Sequence, residues 1–262
     1  MTRTEDTPAP GTAEQPTIPA IELRDVSKSF GSVTAVRDAN LTIYPGQIAA
    51  LVGENGAGKS TLTKIISGAE RPDRGTVLID GREVRVGSPT EARHHGIEMV
   101  YQDLALVETM DVAANFYLGR ESLRHGLLRP SIDKRTMRKK TTEVLAECDI
   151  HLPSTRTLVR NLSGGQRQGI AIGRALNWGA KVILLDEPTA ALGVAETQHV
   201  EDMIRGIKRR NIAILLVSHT MDQIFRLTDR IYVIRHGQIV GKRDTSQTTP
   251  EEIVGMITGL RH

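Results

Sequence analysis

The chain has 262 residues, 39% of them hydrophobic, enough for a buried core in one large domain or two small ones. Its 34 Lys and Arg against 31 Asp and Glu leave a net charge of +3, too slight to call for a nucleic-acid partner. One cysteine, Cys148, excludes an intramolecular disulfide and reads as ordinary packing, and no run approaches the ~20 apolar residues that a bilayer requires, the longest, Ile212 to Val217, being of strand length.

Residues 1–20 are mostly Thr, Pro, Ala, Glu and Gly, without the basic start and apolar stretch of a secretory signal. They read as a disordered tail, and a cytoplasmic site follows by default. From residue 21 the pattern becomes short apolar runs broken by turns. Ile21 to Val26 and Val36 to Tyr44, the latter ending at Pro45-Gly46, predict antiparallel strands. Thr76 to Val86 folds back at Asp80-Gly81, a dipeptide suited to a tight hairpin. Between them Ile48 to Val52 is continuously apolar, as a parallel strand buried on both faces requires, and Ser60 to Ser67 predicts a helix closed by Gly68.

Residues 103 to 175 are richer in helix formers and charge, with Arg135 to Glu147 amphipathic, and read as a helical insertion. Val182 to Leu185 and Ile212 to Val217 are two more buried strands, leading into Asp186-Glu187 and Ser218-His219. Ligands of open α/β sheets sit beyond the carboxyl ends of the strands, so these endings converge on one site. Arg230 to Val240 predicts a hairpin turning at His236-Gly237, followed by a short helix from Pro250. No internal repeat is present.

Three motifs carry chemistry. The run Gly53-Glu54-Asn55-Gly56-Ala57-Gly58-Lys59-Ser60-Thr61 matches G-x-x-x-x-G-K-[ST] between a strand and a helix. Its glycines let backbone N–H groups turn around a phosphate, Lys59 adds a cation between β- and γ-phosphates, and the Ser60 hydroxyl can ligate Mg²⁺. The chain is therefore expected to bind ATP with Mg²⁺. Asp186 and Glu187 are adjacent carboxylates that can divide the work, Asp186 toward Mg²⁺ and Glu187 toward the water attacking the γ-phosphate. Finally, Ser163, Gly164, Gly165 and Gln166 precede the helical pattern Arg167 to Leu176, and predict either a second anion-binding helix start or a plain N-cap. Gly169 and Gly173, four apart in that helix, suggest close approach of a neighbouring backbone.

With Leu162-Ser163-Gly164-Gly165-Gln166 present, the chain from residue 21 to its end resembles the nucleotide-binding domain of ATP-binding cassette, or ABC, ATPases. The resemblance implies an α/β P-loop NTPase fold with a RecA-like core, an N-terminal antiparallel β-subdomain and a helical signature subdomain at about 103–175. It places Gln102 at the Q-loop glutamine, as a metal ligand with Ser60 and Asp186. It places His219 at the switch histidine beside the catalytic Glu187, and Phe30 at the aromatic that stacks on adenine. Without the resemblance these three read more simply as a surface polar group, a strand-end hydrogen-bonding residue and a core aromatic. The resemblance also implies a head-to-tail homodimer, the phosphate loop of one subunit and Ser163 to Gln166 of the other enclosing each ATP.

Val100-Tyr101-Gln102-Asp103-Leu104-Ala105-Leu106 and Glu187 to Val194 are similar to the ATPase components of bacterial monosaccharide importers of the ribose, xylose and fructose type, in their single-cassette branch. That implies an integral-membrane permease touched by segments around 103–118, an extracytoplasmic sugar-binding protein as indirect partner, and a place on the cytoplasmic face of the membrane. Another solute, export and a non-transport ABC ATPase remain alternatives. A GTPase is disfavoured because no N-K-x-D element occurs, and a coiled-coil repair ATPase because no sustained heptads do. One departure stands out: Ala190-Ala191-Leu192-Gly193 occupies the D-loop, where the family usually has S-A-L-D. Weakened coupling between the two sites of a dimer is the expectation.

Overall fold

The computed structural model describes residues 18–124, 131–190 and 192–260. β1 (Ile21–Phe30) and β2 (Val33–Ile43) form the expected antiparallel pair, and β3 (Ile48–Val52) follows, buried at all five positions. β3 runs through the phosphate loop into α1 (Lys59–Ile66), beyond whose cap Gly68 turns the chain at φ 75°. β4 (Arg74–Ile79) and β5 (Arg82–Val84) make the expected hairpin, with Asp80 at φ 49° and Gly81 at φ 73°. Next come α2 (Pro89–His94), capped by the Ser88 hydroxyl, and β6 (Ile97–Val100).

The insertion holds α3 (Val112–Phe116), a two-residue-wide hairpin of β7 (Leu123–Arg124) and β8 (Ser131–Ile132), α4 (Lys134–Glu147) and α5 (Gly164–Asn177). It is thus not purely helical. The rest alternates β9 (Val182–Asp186), α6 (Val194–Lys208), β10 (Ala213–Val217), α7 (Met221–Leu227), β11 (Arg230–Arg235), β12 (Gln238–Asp244) and α8 (Pro250–Thr258). The last hairpin turns where expected, with His236 at φ 47° and Gly237 at φ 79°.

Two sheets organise these elements. One has the order β2-β1-β4-β5 and is antiparallel; the other runs β12-β11-β3-β10-β9-β6, parallel except for β12. Side chains alternate across a strand, so the continuous apolar runs serve two faces. Leu51, Leu184 and Leu215 pack with α1 and the antiparallel sheet, while Ile183, Leu185, Ile214 and Leu216 pack with Phe116, Ile170, Ile172 and Ile204 of the helices. Beneath α6, the fully buried Glu201 takes the Arg226 guanidinium of α7 through two hydrogen bonds, 2.7 and 3.2 Å. Arg205, one turn along α6, pairs with the same carboxylate at 3.5 Å, so the buried charge is held from two sides.

Several expectations need correction. Of the expected tail, residues 1–17 lie outside the described residues, whereas Ala20 is packed, its N–H donating to Ile43 O at 2.9 Å. Ile212 precedes its strand rather than opening it. The glycines of α5 meet side chains, not backbone: a Cβ at Gly169 would lie 3.1 Å from both Ile150 and Met203, and one at Gly173 would lie 2.8 Å from Phe116 Cζ. Cys148 is half-buried, and burial pushes its thiol up, as ordinary packing requires.

The two glycines therefore differ in what they tolerate. Phe116 is fully buried and has nowhere to go, while the Met203 thioether is flexible. Gly173→Ala should destabilise the protein by about 1–3 kcal/mol through overpacking. Gly169→Ala gains up to ~1 kcal/mol of helix propensity to offset its tighter fit. Thermal unfolding should place Tm of the first variant below that of the second.

Candidate nucleotide site

Pairing fixes where the functional loops leave the sheet. Val217 is in register with Leu51 on one side and Asp186 on the other, and Leu185 with Val100. Gly53, Ser218-His219, Glu187 and Tyr101-Gln102 consequently emerge side by side at one edge. Phosphate-loop residues are held there by backbone closeness. A Cβ at Gly53 would lie 2.2 Å from Ile234 O; one at Gly58, whose φ is 109°, would lie 2.6 Å from Ala35 O. The Gly237 N–H donates to Ala57 O at 2.9 Å and the Arg37 N–H to Gly237 O at 2.8 Å, so β2 and the last hairpin both brace the loop.

The loop opens to solvent at Glu54, Asn55, Gly56 and Ser60, with Thr61 half-buried behind them. Lys59 Nζ donates to Gly53 O at 2.6 Å and Glu54 O at 2.8 Å. Burial draws the Lys59 ammonium below its ordinary range, against the opposing pull of Glu187 and Asp186. Burial likewise pushes the Asp186 carboxyl up, helped by the Glu187 charge and opposed by Lys59. Both shifts follow from removing charge from water, at the start of α1 for Lys59 and at the end of β9 for Asp186.

Glu187 has a positive φ of 48°, uncommon for a residue with a Cβ, and its N–H donates to Val217 O at 2.9 Å. Its Oε1 lies 2.7 Å from His219 Nδ1. Most of the His219 side chain faces solvent, whereas that of Glu187 is 19% exposed. The predicted acid and histidine are therefore in direct contact. Gln102 is exposed just beyond β6, and Phe30 is exposed at the end of β1 with Lys28 Nζ 5.4 Å from its ring centroid. An aromatic left at the surface offers a flat apolar face for stacking.

Ser163 proves to be an N-cap, yet the helix it caps starts at once with the two glycines. Its hydroxyl accepts from the Gln166 N–H at 3.4 Å and the Gln166 side chain accepts from the Ser163 N–H at 3.1 Å, a capping box. Gly164 and Gly165 belong to the first turn, whose N–H groups lack intrahelical acceptors. Among the described residues no hydrogen bond joins Ser163–Gln166 to residues 53–61. Within one chain, the phosphate loop and this helix start are therefore not in hydrogen-bonded contact among the described residues.

The profile of the ABC transporter family matches residues 36–190. The chain belongs to that family. It is 42% identical over 240 residues to a xylose/arabinose import ATP-binding protein of Sulfolobus acidocaldarius, covering 92% of this chain and 94% of that one. It is 40% identical over 247 residues to a fructose import ATP-binding protein of Rhizobium meliloti, covering 93% and 95%. A ribose import ATP-binding protein of Burkholderia cenocepacia is 40% identical over 92% of this chain, which spans 47% of that relative. Among solved structures, an ATP-binding cassette of an ABC transporter superposes with a TM-score of 0.80 at 25% identity, over 92% of this chain and 99% of its own. The protein is thus an ATP-binding cassette with ATPase activity, on an ABC ATPase fold.

One residue of the cassette's signature region escaped the sequence reading. Glu196 of α6 reaches back so that its carboxylate accepts from the Gly193 N–H at 3.3 Å and the Gly165 N–H at 3.5 Å. The Ser163 hydroxyl is its leading partner, and these donors hold the carboxyl below the usual glutamate range. A Glu three residues after a helix start is a capping signal, but Gly193 as N-cap concealed it. Gly193 itself is extended, with φ −70°, and Leu192 packs where a Cβ at Gly164 would stand, 2.7 Å away. Ala191 of the D-loop lies outside the described residues.

Because the Glu196 pKa is depressed on folding, its stabilisation is present above the ordinary glutamate range and lost as pH falls through that range and below. Glu196→Gln should lower Tm at pH 7, and the difference from the parent should close as the pH is taken below 4.5, the ordinary value. Thermal melts across pH check this.

Proposed function

We propose that this cassette is the ATP-hydrolysing subunit of an importer that carries a monosaccharide through a separate membrane permease. The observation that carries the reading is the 40–42% identity, over more than nine-tenths of both chains, to the xylose/arabinose and fructose import ATP-binding proteins. The chemistry is supported by the contact of Glu187 with His219 beside Lys59 and Asp186. No helix among the described residues is long and apolar enough to cross a membrane. Membrane attachment then runs through the permease, at its cytoplasmic face.

In the proposed site the backbone N–H groups of residues 53–61 cradle the phosphates, and Lys59 turns from the Gly53 and Glu54 carbonyls toward the β- and γ-phosphates. Adenine stacks on Phe30. The Ser60 hydroxyl, the Asp186 carboxylate and the Gln102 amide oxygen are hard oxygen donors at one sheet edge, a set that fits Mg²⁺. When bound, the ion neutralises charge on the β- and γ-phosphate oxygens. Glu187 orients the attacking water and takes its proton, and His219 holds that carboxylate in place, giving ADP and phosphate.

A second copy, arranged head to tail, supplies Ser163, Gly164, Gly165 and Gln166 to the γ-phosphate. The separation of the two elements within one chain supports this. For the permease, the groove of about 280 Å³ beside residues 101–118, lined by Arg93, Glu98, Tyr101, Leu118, Arg174 and Trp178, is the supporting feature. Arg174 fixes one wall by donating to Leu104 O at 3.1 Å and Ala105 O at 3.2 Å. An extracytoplasmic sugar-binding protein would deliver the solute, touching the permease and not this cassette. In this reading residues 21–262 form the cassette, with 103–175 as the subdomain that docks the permease.

Glu187→Gln should keep ATP binding and lower turnover by roughly 100-fold or more. ATP binding by equilibrium dialysis and phosphate release check it; near-normal hydrolysis would remove Glu187 from the chemistry. Specific activity should also fall on dilution through dissociation, and a constant rate per subunit would count against the shared site. Cells lacking the chain should lose uptake of one labelled monosaccharide, restored by the parent and not by the Glu187 variant. Unchanged uptake of every monosaccharide tried would refute sugar import.

A further inference from the structure

Behind the Glu187–His219 contact lies a buried polar side chain that the proposed chemistry does not use. Gln223 of α7 is 1% exposed and Ser218 at the end of β10 is 2% exposed. The Ser218 hydroxyl donates to Gln223 Oε1 at 2.9 Å, and Gln223 Nε2 donates to the Thr189 hydroxyl oxygen at 2.7 Å. Ser218 Oγ also accepts from the Thr220 N–H at 3.2 Å. Ser218 directly precedes His219, and Thr189 follows Glu187 by two residues. A single amide therefore spans the two loops that carry the catalytic pair.

The far end of α7 is tied down independently by half-exposed Arg226, whose guanidinium pairs with the buried Glu201 of α6. With α7 anchored to α6, the amide of Gln223 becomes a fixed reference between the loops. Inside a protein an unpaired amide group is costly, so Ser218 and Thr189 are drawn to the same side chain and not to solvent. Glu187 keeps its positive φ between Val217 O, which takes its N–H, and Thr189 two residues on. A shift of about 1 Å in either loop would break the 2.7 Å contact between Glu187 and His219, and misplacement of that size can cost ~100-fold in rate.

We propose that Gln223 is a positioning residue for ATP hydrolysis, holding the Glu187 turn and the His219 loop at the separation that lets the two side chains meet. This rests on the reading of Glu187 as the residue that activates water. Thr189 and Ser218 are its two contacts, and Gln223 touches no reacting atom.

The test measures kcat, KM for ATP and Tm for Gln223→Met, Thr189→Val, Thr189→Ser and the Gln223→Met/Thr189→Val pair. The two single variants that break the link should each lower kcat by ~10-fold or more while KM stays within about 2-fold. Thr189→Ser, which keeps the hydroxyl, should restore most of the rate. The pair should be no slower than its slower member, because both changes remove one link. Combined with Glu187→Gln, Gln223→Met should cause no further loss. A kcat within about 2-fold of the parent for either link-breaking variant, multiplying losses in the pair, or a fall in ATP affinity matching the fall in rate overturns the assignment. If Gln223→Met does not fold, Thr189→Val at its half-buried position carries the same test alone. Active Gln223→Met beside inactive Glu187→Gln overturns the positioning role only, whereas active Glu187→Gln overturns the catalytic reading beneath it.

Discussion

The parallel pairing of β3, β10, β9 and β6 is the constraint on which the rest of this cassette depends. Each strand is too short to carry information beyond its apolar face, but hydrogen bonding in parallel register makes their carboxyl ends coincide. Four loops that are distant in the chain thereby acquire a common edge. Parallel strands need both faces covered, and here the antiparallel sheet with α1 covers one while the insertion helices α3 and α5, together with α6, α7 and α8, cover the other. The helical insertion is in this sense a structural necessity before it is a functional one.

The second-order consequence is electrostatic. Strands buried on both faces deliver Asp186 into a half-buried position, and the phosphate loop does the same for Lys59. Each charged group is then pushed toward its neutral form by lost hydration and held back by the other's charge. The two groups feel each other's charge but form no direct ion pair, Lys59 bonding the Gly53 and Glu54 carbonyls, so their burial is a cost to the fold. In the proposed nucleotide site the same burial strengthens what these charges do to a phosphate and its metal once Lys59 has turned from its carbonyl partners.

How much of this could be read in advance depended on whether a signal was local. The phosphate loop was legible because Gly53 and Gly58 are required by close backbone contacts to Ile234 and Ala35, and only glycine fits both. Both hairpins were legible through Asp80-Gly81 and His236-Gly237, whose positive φ values follow from residue type. By contrast β6 escaped notice: it is four residues long and half-buried Glu98 and Met99 interrupt its apolar pattern. Helices α6 and α7 also passed unmarked, their buried faces carrying Glu201 and Gln223 where an apolar stripe is sought. Each is satisfied partly by a near neighbour, Arg205 for Glu201 and Ser218 for Gln223, and partly by a partner 25 or 34 positions away, and that distant half is what no local window contains. The residues gathered at the sheet edge were readable one motif at a time, but the buried polar contacts behind them were not.

The D-loop departure illustrates the same point. Seen along the chain, Gly193 is a missing carboxylate. In space, Glu196 has already brought a carboxylate to that turn, where Gly193 N–H, Gly165 N–H and the Ser163 hydroxyl meet it. Gly193 has an extended backbone that any residue can adopt, so no conformational reason demands glycine there. A Cβ at 193 would stand 3.9 Å from Glu196 Oε2, so an aspartate there would place a second carboxylate on the turn that Glu196 already serves. The residues at 193 and 196 thus bear on one turn, and the carboxylate that the first lacks is brought to it by the second.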